Sequence, residues 1–158
     1  MKFTLKSLRS LVSVLIITLI IPLVSYGQSN PDASFEKSLV MDAESSSIVW
    51  GPCPEFMPDG CEIAVLHGDP AKPNVDILFR LPANTDIPNH WHNSAERMVL
   101  LTGELTVTYQ GEDTQTIKQG DYAYGPAKKP HTGKCGNAGP CTLFIAFENP
   151  LDAIPVNK

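Results

Sequence analysis

Short stretches in which apolar and polar residues alternate run through the chain from about residue 60 to residue 147. Between Leu105 and Gln110, for example, every second residue is apolar. A period of two is typical of a strand that buries one face. Glycine, proline and asparagine separate these stretches and favour turns. The pattern predicts strands at Glu62 to His67, Val75 to Leu81, Arg97 to Thr102, Leu105 to Gln110, Thr114 to Lys118, Tyr122 to Tyr124 and Thr142 to Phe147.

Strands of this length and spacing predict an all-β fold of the sandwich or barrel class. Ser47 to Trp50 is predicted to be a brief β-branched segment, and proline recurs too often after it for a long helix. Residues 28–59 are expected to form an extended N-terminal segment, with an edge strand or a short helix at its start, followed by a loop. Residues 60–150 are expected to form one barrel. Residues 151–158 are expected to form a tail on the outside or against a partner subunit.

The first 27 residues have the pattern of a cleaved secretory signal peptide. Three basic residues precede the apolar run Leu11 to Val24, and Ser25 and Gly27 place small residues at both positions that signal peptidase reads. The run is about 14 residues long and is broken by Pro22, whereas a membrane-spanning helix needs about 20 residues. We therefore expect cleavage after Gly27 and a periplasmic or secreted protein. A single membrane anchor is the alternative.

The charge of the chain excludes two classes of partner. The formal net charge of −5 becomes −8 without residues 1–27, which hold three basic residues and no acidic one. An acidic surface repels nucleic acid phosphates and anionic lipid headgroups. Neither nucleic acid nor, after signal cleavage, a membrane is expected as a partner, and a small molecule is.

Four cysteines, all downstream of the signal peptide, fit an oxidising compartment. They allow three pairings. We favour Cys53 with Cys61 and Cys135 with Cys141, because each pair closes a short segment rich in proline and glycine. The alternative for Cys135, four residues after His131, is a role as a soft metal ligand.

The main chemical signal is a group of histidines with one carboxylate. His90 and His92 lie two residues apart, so both side chains face the same way in an extended strand. Glu96 follows four residues after His92, and His131 lies downstream. Imidazoles suit Fe, Ni, Cu and Zn, and a carboxylate extends the range to Mn. These four residues predict a site for one divalent transition metal.

The spacing of these residues resembles the first motif of the cupin superfamily, G-x5-H-x-H-x(3,4)-E-x6-G. The stretch from His90 to Gly103 matches the fixed positions of that motif. Asn84 stands where the motif begins with glycine.

The second cupin motif, G-x5-P-x-G-x2-H-x3-N, is also recognisable. The chain keeps Gly120, Pro126 and His131 at its fixed positions. Lys128 stands at the position of the second glycine, and Cys135 at that of the asparagine. The resemblance extends roughly from residue 60 to residue 148.

The resemblance implies a small jelly-roll barrel that holds the metal in its mouth, where Glu96 and His131 meet His90 and His92. It also implies a homodimer that pairs through sheet edges. Three imidazoles and one carboxylate leave one or two coordination positions open for substrate or oxygen. Glu96 is in addition a candidate for moving protons.

The expected function is that of an exported metal-dependent enzyme with a small, oxygen-rich, anionic substrate and dioxygenase-type chemistry. One alternative is a non-redox isomerase, decarboxylase or lyase, because the superfamily includes enzymes of that kind with the same ligand set. The other is a protein that binds or senses a metal or small ligand without turnover.

The sequence also predicts where five further side chains lie in the fold. Tyr124 is a candidate to offer its phenol to a bound substrate, with core packing as the alternative, and Tyr122 is expected in the core or the barrel lining. His67, outside both motifs, is predicted to be a core histidine. Met98 and Leu100 share the strand parity of the glutamate ligand and are expected to line the pocket.

Overall fold

A computed structural model describes residues 37–156 of the chain. Within these residues it contains eleven β-strands and no helix. The predicted signal peptide, residues 28–36 and the last two residues lie outside the described range. The strands are β1 (Gly51–Pro52), β2 (Glu62–His67), β3 (Val75–Leu81), β4 (Asp86–Trp91), β5 (Glu96–Thr102), β6 (Glu104–Tyr109), β7 (Gln115–Lys118), β8 (Tyr122–Gly125), β9 (His131–Cys135), β10 (Cys141–Phe147) and β11 (Ile154–Pro155).

The strands form two antiparallel sheets around one core. The order is β1-β2-β3-β10-β5-β8 in the six-stranded sheet and β11-β4-β9-β6-β7 in the five-stranded sheet. In β10 the buried Leu143, Ile145 and Phe147 alternate with less buried neighbours, so one face of the strand supplies the core. All strands belong to the compact unit Val40–Lys158. The predicted all-β jelly-roll barrel is confirmed, and no described helix is long and apolar enough to cross a membrane.

The predicted strands are present with small shifts at their ends, and β2 and β3 have the predicted bounds. The alternating pattern does not predict β4 or β9, since Pro88 and Asn89 in β4 and Gly133 in β9 are residues typical of turns. The predicted segment Ser47 to Trp50 contains no strand, and the first pairing begins at Gly51.

The C-terminal segment is more than an outer tail. β11 pairs with β4 and adds a strand to the five-stranded sheet, with Ile154 opposite Trp91 and Pro155 opposite His90. A strand of two residues is too short to show a hydrophobic period. Its pairing therefore depends on the tertiary structure alone.

Both favoured disulfides are present. Cys53 pairs with Cys61 at a Cα–Cα distance of 5.5 Å, and Cys135 pairs with Cys141 at 5.8 Å. The alternative role of Cys135 as a metal ligand is therefore wrong, because its sulfur is bonded to another sulfur. Two disulfides fit an oxidising, extracellular type of environment.

Neither Tyr122 nor Tyr124 packs in the core, so the core prediction for Tyr122 and the core alternative for Tyr124 are wrong. Their side chains are 62% and 53% exposed. β8 is the edge strand of the six-stranded sheet, and its register with β5 places the two tyrosines opposite Val99 and Arg97. The inward positions of β8 belong to its other residues, among them the buried Gly125.

His67 is also not a core residue. It lies exposed at the end of β2, where its partner in β3 is Asp76. The pairing of the two strands shifts between Val65 and His67. A β-bulge of this kind changes which face a side chain joins, and periodicity cannot foresee it.

Asn84 and Lys128 adopt the left-handed backbone conformation, with φ of 58° and 61°. They stand at the two glycine positions of the cupin motifs that this chain does not keep. The Lys128 N–H donates to the carbonyl of His92 at 2.7 Å, and the Asn84 N–H donates to the carbonyl of Gly136 at 3.0 Å. The turns are thus kept without glycine, at a cost of about 1 kcal/mol each.

We predict that Lys128→Gly raises the free energy of unfolding by up to about 1 kcal/mol, because glycine reaches positive φ without a Cβ clash. Urea unfolding of the metal-free protein measures the change. Ala127→Gly is the matched control, since Ala127 lies in the same exposed turn without positive φ. The control should lose about 0.5 kcal/mol or more. Equal destabilisation by both substitutions would show that the turn is not strained.

Candidate metal centre

Three histidines meet between the two sheets. His90 in β4 and His131 in β9 are partners in the antiparallel register, and Tyr109 in β6 is the partner of His131 on its other side. His92 follows directly after the end of β4. One ligand atom from each of the three histidines lies within 4.8 Å of the other two. The structure therefore brings together the three histidines that the sequence singles out.

A backbone carbonyl holds each imidazole at Nδ1. A carbonyl oxygen can only accept a hydrogen bond, so each neutral ring carries its proton on Nδ1 and keeps a free lone pair on Nε2. Metal-binding histidines are oriented in this way. The accepting carbonyls are those of Pro88 for His90 (2.8 Å), Lys129 for His131 (3.1 Å) and Asp152 for His92.

Glu96 reaches the histidines from the opposite sheet. It is the first residue of β5 and is 6% exposed. Its Oε1 lies 3.3 Å from His92 Nε2, and its Oε2 lies 3.6 Å from His131 Nε2. The carboxylate thus adjoins two of the three imidazoles.

Burial governs the protonation of the cluster. It raises the pKa of Glu96 to about 7, although the nearby His131 acts in the opposite direction. Burial, followed by repulsion from His131, lowers the pKa of His90 to about 3. Burial also lowers the pKa values of His92 and His131. The imidazoles are therefore neutral at pH 7, which is the form that binds metal.

The donor set fits a divalent transition metal. His92 Nε2 is buried and has no hydrogen-bond partner among the described residues. An unsatisfied buried nitrogen costs about 1–3 kcal/mol, and a metal ion at this point would satisfy it. Imidazole and carboxylate donors suit Fe, Mn, Ni, Cu and Zn.

A buried serine holds the loop between His92 and Glu96 in place. Ser94 is 1% exposed, and its Oγ accepts hydrogen bonds from the backbone N–H groups of Glu148 (2.9 Å) and Asn149 (3.1 Å). This ties the loop to the end of β10. Sequence reasoning assigns Ser94 no role, because a serine between strands is an ordinary turn residue.

The C-terminal segment also positions the site. The carboxylate of Asp152 accepts hydrogen bonds from the backbone N–H of Asn93 (2.9 Å) and from its Nδ2 (2.6 Å). The carbonyl of the same residue holds His92. Asp152 is 60 positions beyond His92, and no local signal in the sequence links the two.

Tyr109, and not Tyr124, is the tyrosine at the site. Tyr124 does not line the cavity beside the histidines, whereas Tyr109 does, and its ring centroid lies 4.8 Å from that of His131. A Cβ on Gly125 would collide with Tyr109 Oη and come within 2.9 Å of Glu96 Oε2, so only glycine fits there. Burial and the negative charge of Glu96 raise the pKa of Tyr109. The phenol therefore stays protonated and can donate a hydrogen bond.

A cavity of about 460 Å³ adjoins the histidines. Its walls are mainly the apolar side chains of the inner sheet faces, together with parts of the Cys53–Cys61 loop and of the C-terminal segment. Met98 lines the cavity as predicted. Leu100 has the same parity but is fully buried and lies outside the lining.

The sequence profile of the cupin domain matches residues 77–147, the stretch from β3 to the end of β10. This stretch contains all four predicted ligands. No curated protein sequence matches the chain significantly.

Several solved structures share the fold. The DMSP lyase DddQ from Ruegeria pomeroyi DSS-3 is 17% identical, with a TM-score of 0.60 over 69% of this chain and 61% of the lyase. The polyketide cyclase RemF from Streptomyces resistomycificus is 19% identical, with a TM-score of 0.61 over 76% of this chain and 87% of the cyclase. Bacillus subtilis oxalate decarboxylase, a protein with Mn(II) centres, is 19% identical, with a TM-score of 0.52 over 61% and 28%.

These identities are low, so the similarity concerns the fold alone. The chain spans about three fifths of the length of the DMSP lyase structures. Reaction, substrate and partners must be argued from the chain's own site.

We predict that Glu96→Gln stabilises the metal-free protein more at pH 8 than at pH 4.5. The folded-state pKa of Glu96 is raised to about 7 from an ordinary 4.5. Its protonated form thus favours folding below pH 4.5, and this contribution is lost as the pH rises through 7. The difference between variant and wild type should grow by about 3 kcal/mol over that range.

Urea unfolding of chelator-treated proteins at pH 4.5, 6 and 8 measures this difference. Glu104→Gln, which replaces an exposed glutamate at the start of β6, is the matched control. If Glu96→Gln changes the free energy of unfolding by the same amount at all three pH values, the result would contradict the burial of an ionisable carboxyl group.

We predict that Asp152→Ala weakens metal binding about tenfold or more, because the Asp152 carboxylate, bonded to Asn93, fixes the position of the backbone carbonyl that orients His92. Competition with a chromophoric chelator gives the dissociation constant. Asp86→Ala is the control, since Asp86 is exposed and pairs with Lys134 at 3.0 Å away from the cavity lining. Equal affinities of the two variants would show that the C-terminal segment does not position the site.

Proposed function

Since this chain belongs to the cupin superfamily, we propose that it is an exported metal-dependent enzyme acting on a small molecule that binds through oxygen atoms. The observation that carries the proposal is the convergence of three carbonyl-oriented imidazoles and one buried carboxylate on a cavity. Export is supported by the signal-peptide pattern and by the two disulfides. The homodimer implied by the resemblance stays a prediction.

His90, His92, His131 and Glu96 are the proposed ligands of one divalent transition metal. The ion would polarise a bound oxygen group or, if it is redox-active, activate dioxygen. A charge of +2 beside one carboxylate leaves the centre formally positive. It would therefore favour anionic oxygen groups such as carboxylate, enolate or phenolate.

The chain's own residues supply the remaining functions. In the metal-free protein the pKa of Glu96 is raised to about 7, so when the carboxyl group does not coordinate the ion it can take up or release a proton. The protonated phenol of Tyr109, which has no hydrogen-bond partner among the described residues, can donate to a bound substrate. The apolar walls keep water away from the reacting groups.

Dioxygenase-type chemistry is the first candidate, because three imidazoles and one carboxylate leave room for both substrate and oxygen. A non-redox lyase, decarboxylase or isomerase is the second candidate. The buried phenol of Tyr109 beside His131 favours it, since such reactions depend on proton transfer. The solved relatives include a lyase and a decarboxylase, which makes this class worth testing directly.

We predict about one Fe, Mn, Ni, Cu or Zn ion per chain in protein purified without a histidine tag and assayed by elemental mass spectrometry. His92→Ala should lose most of the metal, because the site depends on its Nε2. His67→Ala, which replaces the exposed histidine of β2, should keep it. Wild-type protein with no more metal than His92→Ala would falsify the ligand assignment.

The metal found decides the next assay. Fe, Mn, Ni or Cu directs the search to oxygen uptake, and Zn directs it to non-redox turnover. Turnover that His92→Ala abolishes supports an enzyme. Saturable binding without turnover supports the alternative of a ligand-binding or sensing protein.

A further inference from the structure

The polar groups of the cavity are gathered around the candidate metal centre. The strand registers place Tyr109 beside His131, and Glu96 opposite Phe147. Asp152, the remaining charged residue of the lining, contacts His92 through its carbonyl. All ionisable residues of the lining thus belong to the centre or lie next to it.

Away from the centre the lining is apolar. Val107 and Leu105 precede Tyr109 on the inner face of β6, and Ile145 and Leu143 precede Phe147 on that of β10. Four residues of strand span about 13 Å. The cavity wall therefore continues along the inner faces of both strands without polar side chains. This apolar stretch is longer than a two-carbon acid.

The charges of the lining restrict what can occupy this apolar part. Among the described residues that line the cavity, none is lysine or arginine, and the acidic ones are Glu96 and Asp152. A second anionic group placed away from the metal would lose its water and find no cationic partner. Such a group is strongly disfavoured.

We propose that the substrate is amphipathic, with one metal-binding, singly anionic oxygen head and an uncharged apolar body along β6 and β10. This inference rests on the proposed function, because the metal holds the head. The cavity volume suits a body on the order of 10 to 15 non-hydrogen atoms. Diacids too long to bring both carboxylates to the metal are excluded as preferred substrates.

A series of hydroxamates tests the proposal, because the metal-binding head stays constant while the tail changes. Calorimetry with the Zn(II)-loaded protein compares acetohydroxamate, hexanohydroxamate and octanohydroxamate. Each added methylene should tighten binding roughly fourfold if it is fully buried. Suberic acid monohydroxamate, which ends in a carboxylate, should bind no more tightly than acetohydroxamate. Equal affinities across the alkyl series would overturn the proposal.

A cavity-filling variant locates the tail. Val107→Phe should weaken octanohydroxamate at least tenfold and leave the metal content and acetohydroxamate binding within about twofold of wild type. Thr106→Phe, on the opposite face of the same strand, is the matched control and should leave all three unchanged. Octanohydroxamate binding that Val107→Phe does not weaken would show that the tail lies elsewhere.

The outcomes separate this proposal from the proposed function. Metal and acetohydroxamate binding without any gain from longer tails overturns the amphipathic substrate and leaves the metal enzyme standing. If the protein binds no metal, the proposed function fails, and 1-octanol titrated into the metal-free protein tests the apolar pocket alone. Saturable binding that Val107→Phe abolishes supports the pocket, and no binding overturns it.

Discussion

The hydrogen bonds from the imidazole Nδ1 atoms to backbone carbonyls are the interactions on which the site depends. They fix the tautomer of each ring and direct Nε2 to a common point. Two of them are local: His90 bonds to the carbonyl of Pro88 and His131 to that of Lys129, each two residues earlier. The third joins His92 to Asp152 across 60 positions. The C-terminal segment is therefore part of the site's support.

Burial inside the barrel disfavours charged side chains at the site and thereby prepares the imidazoles for a metal ion. Burial lowers the pKa values of the imidazoles and raises that of Glu96. An apolar surrounding disfavours every charge in the cluster, so the imidazoles of the metal-free site are neutral at pH 7 and the ionisation of Glu96 is shifted to higher pH. A divalent cation placed there would find the imidazole lone pairs free, with little competition from protons at the histidines. None of the described residues that line the cavity is lysine or arginine, which limits how much negative charge a ligand can carry.

The backbone around the site keeps its shape where two motif glycines are replaced. Asn84 and Lys128 both retain positive φ, and the Lys128 N–H reaches the carbonyl of His92. The geometry of the turn is thus maintained by a hydrogen bond next to a candidate ligand. At Gly125 the requirement is different, because Tyr109 and Glu96 leave no space for a Cβ.

The sequence by itself determined the all-β class, most strand positions, both disulfides and the group of three histidines with Glu96. The fold class, the strands and the disulfides follow from local alternation or from short spacings, which a single chain displays directly. His131, 35 residues beyond Glu96, joins the metal group only through the resemblance to the cupin motifs. Only the tertiary structure decided that β4 and β9 are strands, that β11 joins the sheet beside His90 and that Asp152 supports His92. It also replaced Tyr124 by Tyr109 at the site. Edge positions, bulges and pairings between distant segments have no local signal, because partners far along the chain define them.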